Sequence, residues 1–242
     1  CYSIGTRLES GKKYMVTYKL VPHPYRGQEL VMIITNAVTA NDSVSNFVVT
    51  DAVINSLAQI QRLPGTVAER MDTIVQKAKG LIGYNGNDML IKLIDLGYHT
   101  VLSFNFGHFK DVRGYLDILM VGESRVGKSS TAEALRQEYQ LGVFTSLAGN
   151  SATIPGLIGG SNKTSRGAYQ TKAGLIPQNH KGLIIFEEFG KCNSNIVAEL
   201  TDIRSSNEVR ITRVSGTLIL PAMVRMISLS NVKTSQGEIK SI

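Results

Sequence analysis

Gly122-Glu123-Ser124-Arg125-Val126-Gly127-Lys128-Ser129 is the stretch whose reading decides the fold. It fits the spacing G-x-x-x-x-G-K-[ST]. Leu116-Asp-Ile-Leu-Met-Val121, apolar and rich in strand formers, reads as a buried strand running into it. Ser129 to Tyr139, with Ala132, Leu135 and Tyr139 inward, reads as a helix running out of it. Strand, glycine turn and helix in that order are what phosphate binding requires. The glycines let backbone N–H groups turn inward, and the helix N-terminus adds partial positive charge. On this reading Gly122, Glu123, Ser124, Arg125, Val126, Gly127, Lys128, Ser129 and Ser130 form the cradle for ATP. Lys128 reaches the β- and γ-phosphates, and the Ser129 hydroxyl ligates Mg²⁺. The bland alternative, a glycine turn with an exposed lysine, does not explain the flanking strand and helix.

Downstream, Leu183-Ile-Ile-Phe186 is an apolar strand that ends in Glu187-Glu188. The carboxyl end of a strand in a parallel sheet lies on the ligand side. Two acids there divide the work, Glu187 holding the metal or its waters and Glu188 serving as general base toward the attacking water. Val224 to Leu229 is a further strand with Asn231 at its exit, where an amide can hold either the attacking water or the γ-phosphate. Alone, Asn231 is an ordinary turn residue. A helix over Ile196 to Arg204 and a hairpin of Val209 to Arg213 with Thr217 to Leu220 complete an α/β alternation, which implies a parallel sheet flanked by helices.

Composition agrees with that class. The 242 residues are 43% hydrophobic and 19% charged, enough for a packed core and against general disorder. No apolar run approaches the ~18 residues of a bilayer span. Two cysteines, Cys1 and Cys192, exclude a disulfide scaffold and suit a reducing, intracellular setting. The four histidines, at 23, 99, 108 and 180, show no ligand spacing, and Cys192 reads as a small buried residue. The 26 Lys and Arg against 19 Asp and Glu give a net charge of +7, which favours a polyanionic partner.

Upstream, residues 1–49 read as β, with strands at Tyr14 to Leu20, Leu30 to Thr35 and Asn46 to Val49. Helical spacing begins after Thr50, an N-cap, with Val53, Ile54, Leu57 and Ile60 on one face and Pro64-Gly65 as the stop. Thr66 and Glu69 form a capping box for a second helix, whose stripe is Val67, Met71, Ile74, Val75, Ala78, Leu81 and Ile82. A third helix covers Asp88 to Leu96, and Leu102 to Phe106 is expected to pack against the core. The domain boundaries follow as 1–49, a linker helix over 50–65, and 66–242.

From Gly167 to Asn231 the sequence resembles the AAA+ core of the minichromosome maintenance (MCM) replicative helicases. Ala173-Gly-Leu-Ile-Pro-Gln-Asn-His-Lys-Gly182 followed by Leu183-Ile-Ile-Phe-Glu-Glu-Phe-Gly-Lys191 is similar to that family's "EAGA…ADKG…DEFDK" run. Glu208-Val-Arg-Ile-Thr-Arg-Val-Ser-Gly-Thr217 resembles its presensor hairpin, and Ser228-Leu-Ser-Asn231 its sensor segment. Ser151-Ala-Thr-Ile-Pro-Gly156 stands where the family has its segment before the helix-2 insertion, and residues 1–49 are similar to the end of its oligonucleotide-binding (OB) fold. The resemblance implies a ring hexamer with ATP between subunits and channel hairpins on DNA. Arg213 occupies the place of the pore lysine, with Arg210 on the same hairpin and Lys163 and Arg166 in the helix-2 insertion as further DNA contacts. Two departures mark a divergent branch: Glu187 replaces the family's Asp, and Gly-Lys-Ser replaces the Ala-Lys-Ser of many members. The arginine finger and sensor-2 lid are expected beyond Ile242, and any zinc module upstream. An AAA+ remodeller acting on protein partners is the alternative, and a nucleotide-binding scaffold without turnover a third; the basic hairpin favours DNA.

Overall fold

The computed structural model describes residues 2–3, 8, 14–39, 48–62, 64–82, 87–149, 152–163, 169–213, 216–235 and 238–241. It divides into two compact units, Cys1–Arg62 and Leu63–Ile242.

In the first unit, β1 (Tyr2–Ser3), β2 (Tyr14–His23) and β3 (Arg26–Thr39) form a sheet in the order β1-β3-β2. Strands β2 and β3 are antiparallel and longer than the sequence suggests, because the expected loop narrows to a turn at Pro24-Tyr25. Pro22 has no N–H to give the ladder, and the register shifts between Pro22 and His23. Helix α1 (Asp51–Gln61) follows, with the Val53 N–H donating to Thr50 Oγ1 at 3.4 Å as the cap. One expectation is corrected in this unit. Val48 and Val49 are not strand, since the chain there is already entering the cap of α1, and residues 46–47 lie outside the described residues. Ile54 and Leu57, on the expected apolar face, are exposed. The Ile60 side chain lies outside the described residues.

The second unit opens with α2 (Val67–Ile82) and α3 (Asp88–His99). The capping box forms as expected, with Glu69 Oε2 accepting from the Thr66 N–H at 2.6 Å and Thr66 Oγ1 accepting from the Glu69 N–H at 3.3 Å. Ion pairs Lys79–Asp88 and Lys92–Asp72 tie the two helices. A hairpin of β4 (Ser103–Phe106) and β5 (Phe109–Arg113) comes next. Its aromatic tip does not pack against the core: Phe106 is 71% and Phe109 70% exposed. Cross-strand pairing sets them opposite each other beside Gly107, away from any larger apolar face.

The central layer is a four-stranded parallel sheet in the order β6-β13-β10-β7. Its strands are β6 (Ile118–Gly122), β13 (Arg225–Asn231), β10 (Leu183–Glu187) and β7 (Val143–Ser146). Helix α4 (Lys128–Tyr139) leads from β6 to β7. Between β7 and β10 lie α5 (Ile154–Leu157), a hairpin of β8 (Gly159–Lys163) and β9 (Tyr169–Ala173), and α6 (Leu175–Gln178). The root of that hairpin depends on glycine. A Cβ on Gly174 would meet the backbone of Leu157 and Ile158 at 2.5 Å. After β10 come a 3-10 turn (Phe189–Lys191), α7 (Ser194–Ser206), the hairpin β11 (Glu208–Arg213) and β12 (Gly216–Pro221), then β13 and a last hairpin, β14 (Lys233–Ser235) with β15 (Glu238–Ser241).

Alternation along the strands builds two cores. Leu183, Ile185, Ile227 and Leu229 face Val75, Ile91, Ile94, Ala132 and Leu135 from α2, α3 and α4. Ile184, Phe186 and Met226 face the other way, against Ile196, Leu200 and Ile203 of α7. Leu183 to Phe186 are fully buried, as expected of a central strand covered on both faces. At the start of β6, Asp117 clamps the layers together. Its Oδ2 holds Arg113 Nη2 at 2.5 Å and Arg204 Nε at 2.6 Å, and its Oδ1 accepts from the Met226 N–H at 3.1 Å.

Candidate nucleotide site

The loop between β6 and α4 has the backbone of an anion cradle. Arg125 has φ 66° and Gly127 φ 87°, both left-handed and both in sequence before a right-handed helix. Left-handed residues next to right-handed ones turn successive N–H groups to one side, a concave nest for an anion. Helix α4 carries no side-chain cap at Gly127, whereas α3 and α7 are capped by Asn87 and Asn193. The first N–H groups of α4 are therefore free of side-chain competition for a phosphate. Ser129, in the first turn, is half-buried, and Ser130 is exposed.

Lys128 is only 7% exposed. Its ammonium donates to the Gly122 carbonyl at 2.9 Å, the Glu123 carbonyl at 2.6 Å and Asn231 Oδ1 at 3.1 Å. Burial pushes its pKa below the ordinary lysine value. The phosphate-loop lysine and the strand-exit asparagine, 103 residues apart, thus meet directly.

Topology explains the meeting. Strand β13 lies between β6 and β10, and Asn231 pairs in register with Gly122 while Phe186 pairs with Ser228. Gly122, Asn231 and Glu187 therefore end three adjacent strands at one edge of the sheet. With about 4.8 Å between neighbouring strands, the acidic strand lies roughly 10 Å from the phosphate-loop strand. That gap suits the terminal phosphates and a metal ion.

The two acids differ in setting. Glu187 closes β10, half-buried, with its carbonyl accepting from the Leu147 N–H at 3.0 Å. Glu188 is left-handed, φ 54° and ψ 38°, and starts the 3-10 turn. Its carboxylate pairs with Lys191 Nζ at 2.6 Å. The donor set is one that Mg²⁺ tolerates, since this ion takes one or two protein oxygens and completes its shell from phosphates and water. Among the described residues no cluster of three or more His, Cys, Asp or Glu could hold a metal unaided.

A family model, the MCM P-loop domain, matches residues 98–239, more than half of the chain. The chain belongs to the MCM family. No curated protein matches it. Its second unit is a P-loop nucleoside triphosphatase domain, and the α/β architecture expected from the sequence is the one observed. Among the described residues no helix is long and apolar enough to cross a membrane.

Of the basic residues expected on DNA, Arg210 and Arg213 stand on β11 and Lys163 ends β8. Arg210 is exposed on β11, with Nη2 3.5 Å from Glu208 Oε2. Arg213 pairs with Gly216 at the head of the β11–β12 ladder, and Lys163 pairs with Tyr169 at the head of β8–β9. The side chains of Arg213 and Lys163, and all of Arg166, lie outside the described residues. Cys192, expected to be buried, is half-buried against the α7 core, which pushes its thiol pKa up. The sequence reading overlooked Lys191 and Ser230. Lys191 stands three residues after Glu188 in a helical turn, a spacing that signals an ion pair. Ser230 lies in the segment quoted for Asn231, but its own contact is visible only once β13 is placed beside the acidic turn.

Proposed function

We propose that this MCM-family protein hydrolyses ATP and uses the cycle to move along DNA, acting as a hexameric ring with one nucleotide at each subunit interface. The observation that carries the reading is the convergence of Lys128, Asn231 and the Glu187–Glu188 pair at the ends of three neighbouring parallel strands.

The loop from Gly122 to Ser130 binds the phosphates through backbone N–H groups, and Lys128 exchanges one or more of its protein acceptors for phosphate oxygen. Ser129 and Glu187 would hold Mg²⁺ on the protein side, and the ion would supply charge neutralisation at the phosphates. Glu188 takes the proton of a water aimed in line at the γ-phosphorus. Asn231 orients that water or the phosphate. Positioning and fixed charge do most of the work in such transfers. Glu187, one methylene longer than aspartate, would hold the metal through that longer arm.

On the same reading, residues 1–49 are the end of an OB-like domain, 50–65 a linker helix and 66–242 the ATPase core; the break between compact units after Arg62 falls inside that linker. Arg213, Arg210, Lys163 and Arg166 grip DNA phosphates from the hairpins, without reading sequence. Exposure of Arg210 on β11 supports this.

Glu188→Gln in the full-length protein tests the chemistry. Hydrolysis is expected to fall at least a hundredfold with nucleotide binding retained; an unchanged rate removes Glu188 from the role. Arg213→Glu tests the DNA reading: the DNA-stimulated part of hydrolysis and DNA affinity both fall. If DNA never stimulates hydrolysis, a remodeller of protein partners becomes the better account.

A further inference from the structure

Ser230 and Asn231 are consecutive on β13, so their side chains leave opposite faces of the sheet. Asn231 reaches Lys128 on the α4 side. Ser230 faces the other way, 2% exposed, and its Oγ accepts from the Gly190 N–H at 3.2 Å while donating to the Asn231 carbonyl at 3.3 Å. Gly190 is the middle residue of the 3-10 turn (Phe189–Lys191), whose N-cap is Glu188. That turn is held from both neighbouring strands. On the β7 side the Leu147 N–H binds the Glu187 carbonyl at 3.0 Å; on the β13 side Ser230 holds Gly190. The first restraint is backbone and survives any substitution. The second rests on one hydroxyl.

Glu188 needs that restraint because its backbone is left-handed, a conformation costing about 1–2 kcal/mol for a residue with a side chain. A turn released on one side can relax toward right-handed geometry and swing the carboxylate. A displacement of about 1 Å in a catalytic group is worth up to roughly a hundredfold in rate.

We propose that Ser230 is a positioning residue for hydrolysis: its buried hydroxyl fixes the turn that presents Glu188 to the attacking water. This rests on the reading of Glu188 as the base. The same strand then couples the phosphate lysine, through Asn231, to the acid, through Ser230.

The test compares Ser230→Ala with the near-isosteric pair Ser230→Thr and Ser230→Val in the full-length protein. Single-turnover ATP hydrolysis is expected to fall about tenfold or more in Ser230→Ala and Ser230→Val, and Ser230→Thr is expected to restore it. Affinity for a fluorescent adenine nucleotide stays within about twofold in all three. In a Glu188→Gln background Ser230→Val lowers the residual rate no further, because the hydroxyl acts only through the missing carboxylate. The proposal is overturned by an unchanged rate in both Ser230→Ala and Ser230→Val, by a parallel loss of nucleotide affinity, by failure of Ser230→Thr to restore the rate, or by a further fall in the Glu188→Gln background. Hydrogen exchange at Gly190 separates this from failure of the base assignment. If Glu188→Gln hydrolyses normally, the catalytic role of both residues is lost, yet faster exchange in Ser230→Val would still report the restraint on the turn.

Discussion

Replacing Asp117 by alanine removes one carboxylate from three partners at once. The side chain is 11% exposed and serves Arg113, Arg204 and the Met226 N–H. The N–H bond to a charged acceptor contributes about 1.5–3 kcal/mol. The arginines are 31% and 43% exposed and regain water when released, so each pair contributes only about 0.2–1 kcal/mol. The expected cost is roughly 2–5 kcal/mol, or about 7–14 °C in Tm for the middle of that range in a unit of this size. Asp117→Asn keeps an acceptor for Met226 but puts an amide NH2, a donor, where Oδ2 accepted from both arginines; these regain water when released, so it should cost about 1 kcal/mol. Urea unfolding reads both as shifts in midpoint at constant slope. Equal costs for the two variants, or a loss under about 1 kcal/mol for Asp117→Ala, would refute the view that the backbone bond dominates the clamp.

Three further outcomes are expected. Lys128→Ala should lose nucleotide affinity at least tenfold in equilibrium binding, since the ammonium is the one buried cation against the phosphate loop carbonyls among the described residues. Thr66→Ala should cost about 1 kcal/mol in chemical unfolding by opening the capping box. Stability should also fall as pH rises from 6 to 8. The hydrogen bond that the His99 ring donates to the Asp95 carboxylate raises its pKa against the opposing effect of burial, so the contribution is fully present below about pH 6.5 and is lost as pH climbs through the raised folded value. His99→Gln should flatten that slope; a slope unchanged by the substitution would place its origin elsewhere.

The ATPase half was legible because its signals are local. A phosphate loop, a capping box and an apolar run closed by acids each fit within a dozen residues, and strand-to-helix order forces the parallel layer. What escaped was whatever depends on distant segments meeting. Val143 to Ser146 form a strand only because β10 offers an edge, and four half-buried residues leave no strong period. Phe104 and Phe106 look like core residues by composition, yet they sit exposed on a hairpin. Ser230 looked like any polar strand residue until Gly190 was placed beside it. Residue type places Asn231 against the attacking water or the γ-phosphate, but its contact with Lys128 follows only from β13 lying between β6 and β10.

The positive φ of Glu188 narrows which substitutions can interrogate the acid. Glycine there would relieve backbone cost while deleting the carboxylate, so lost turnover and gained stability would arrive together and mislead. Valine or isoleucine would add β-branched crowding to an already unfavourable conformer. Glutamine keeps the length, the branching and the torsional preference, and alters only the protonatable oxygen. Any mutational scan of this site will therefore rank chemistry against conformation at position 188, and the two scales run in opposite directions.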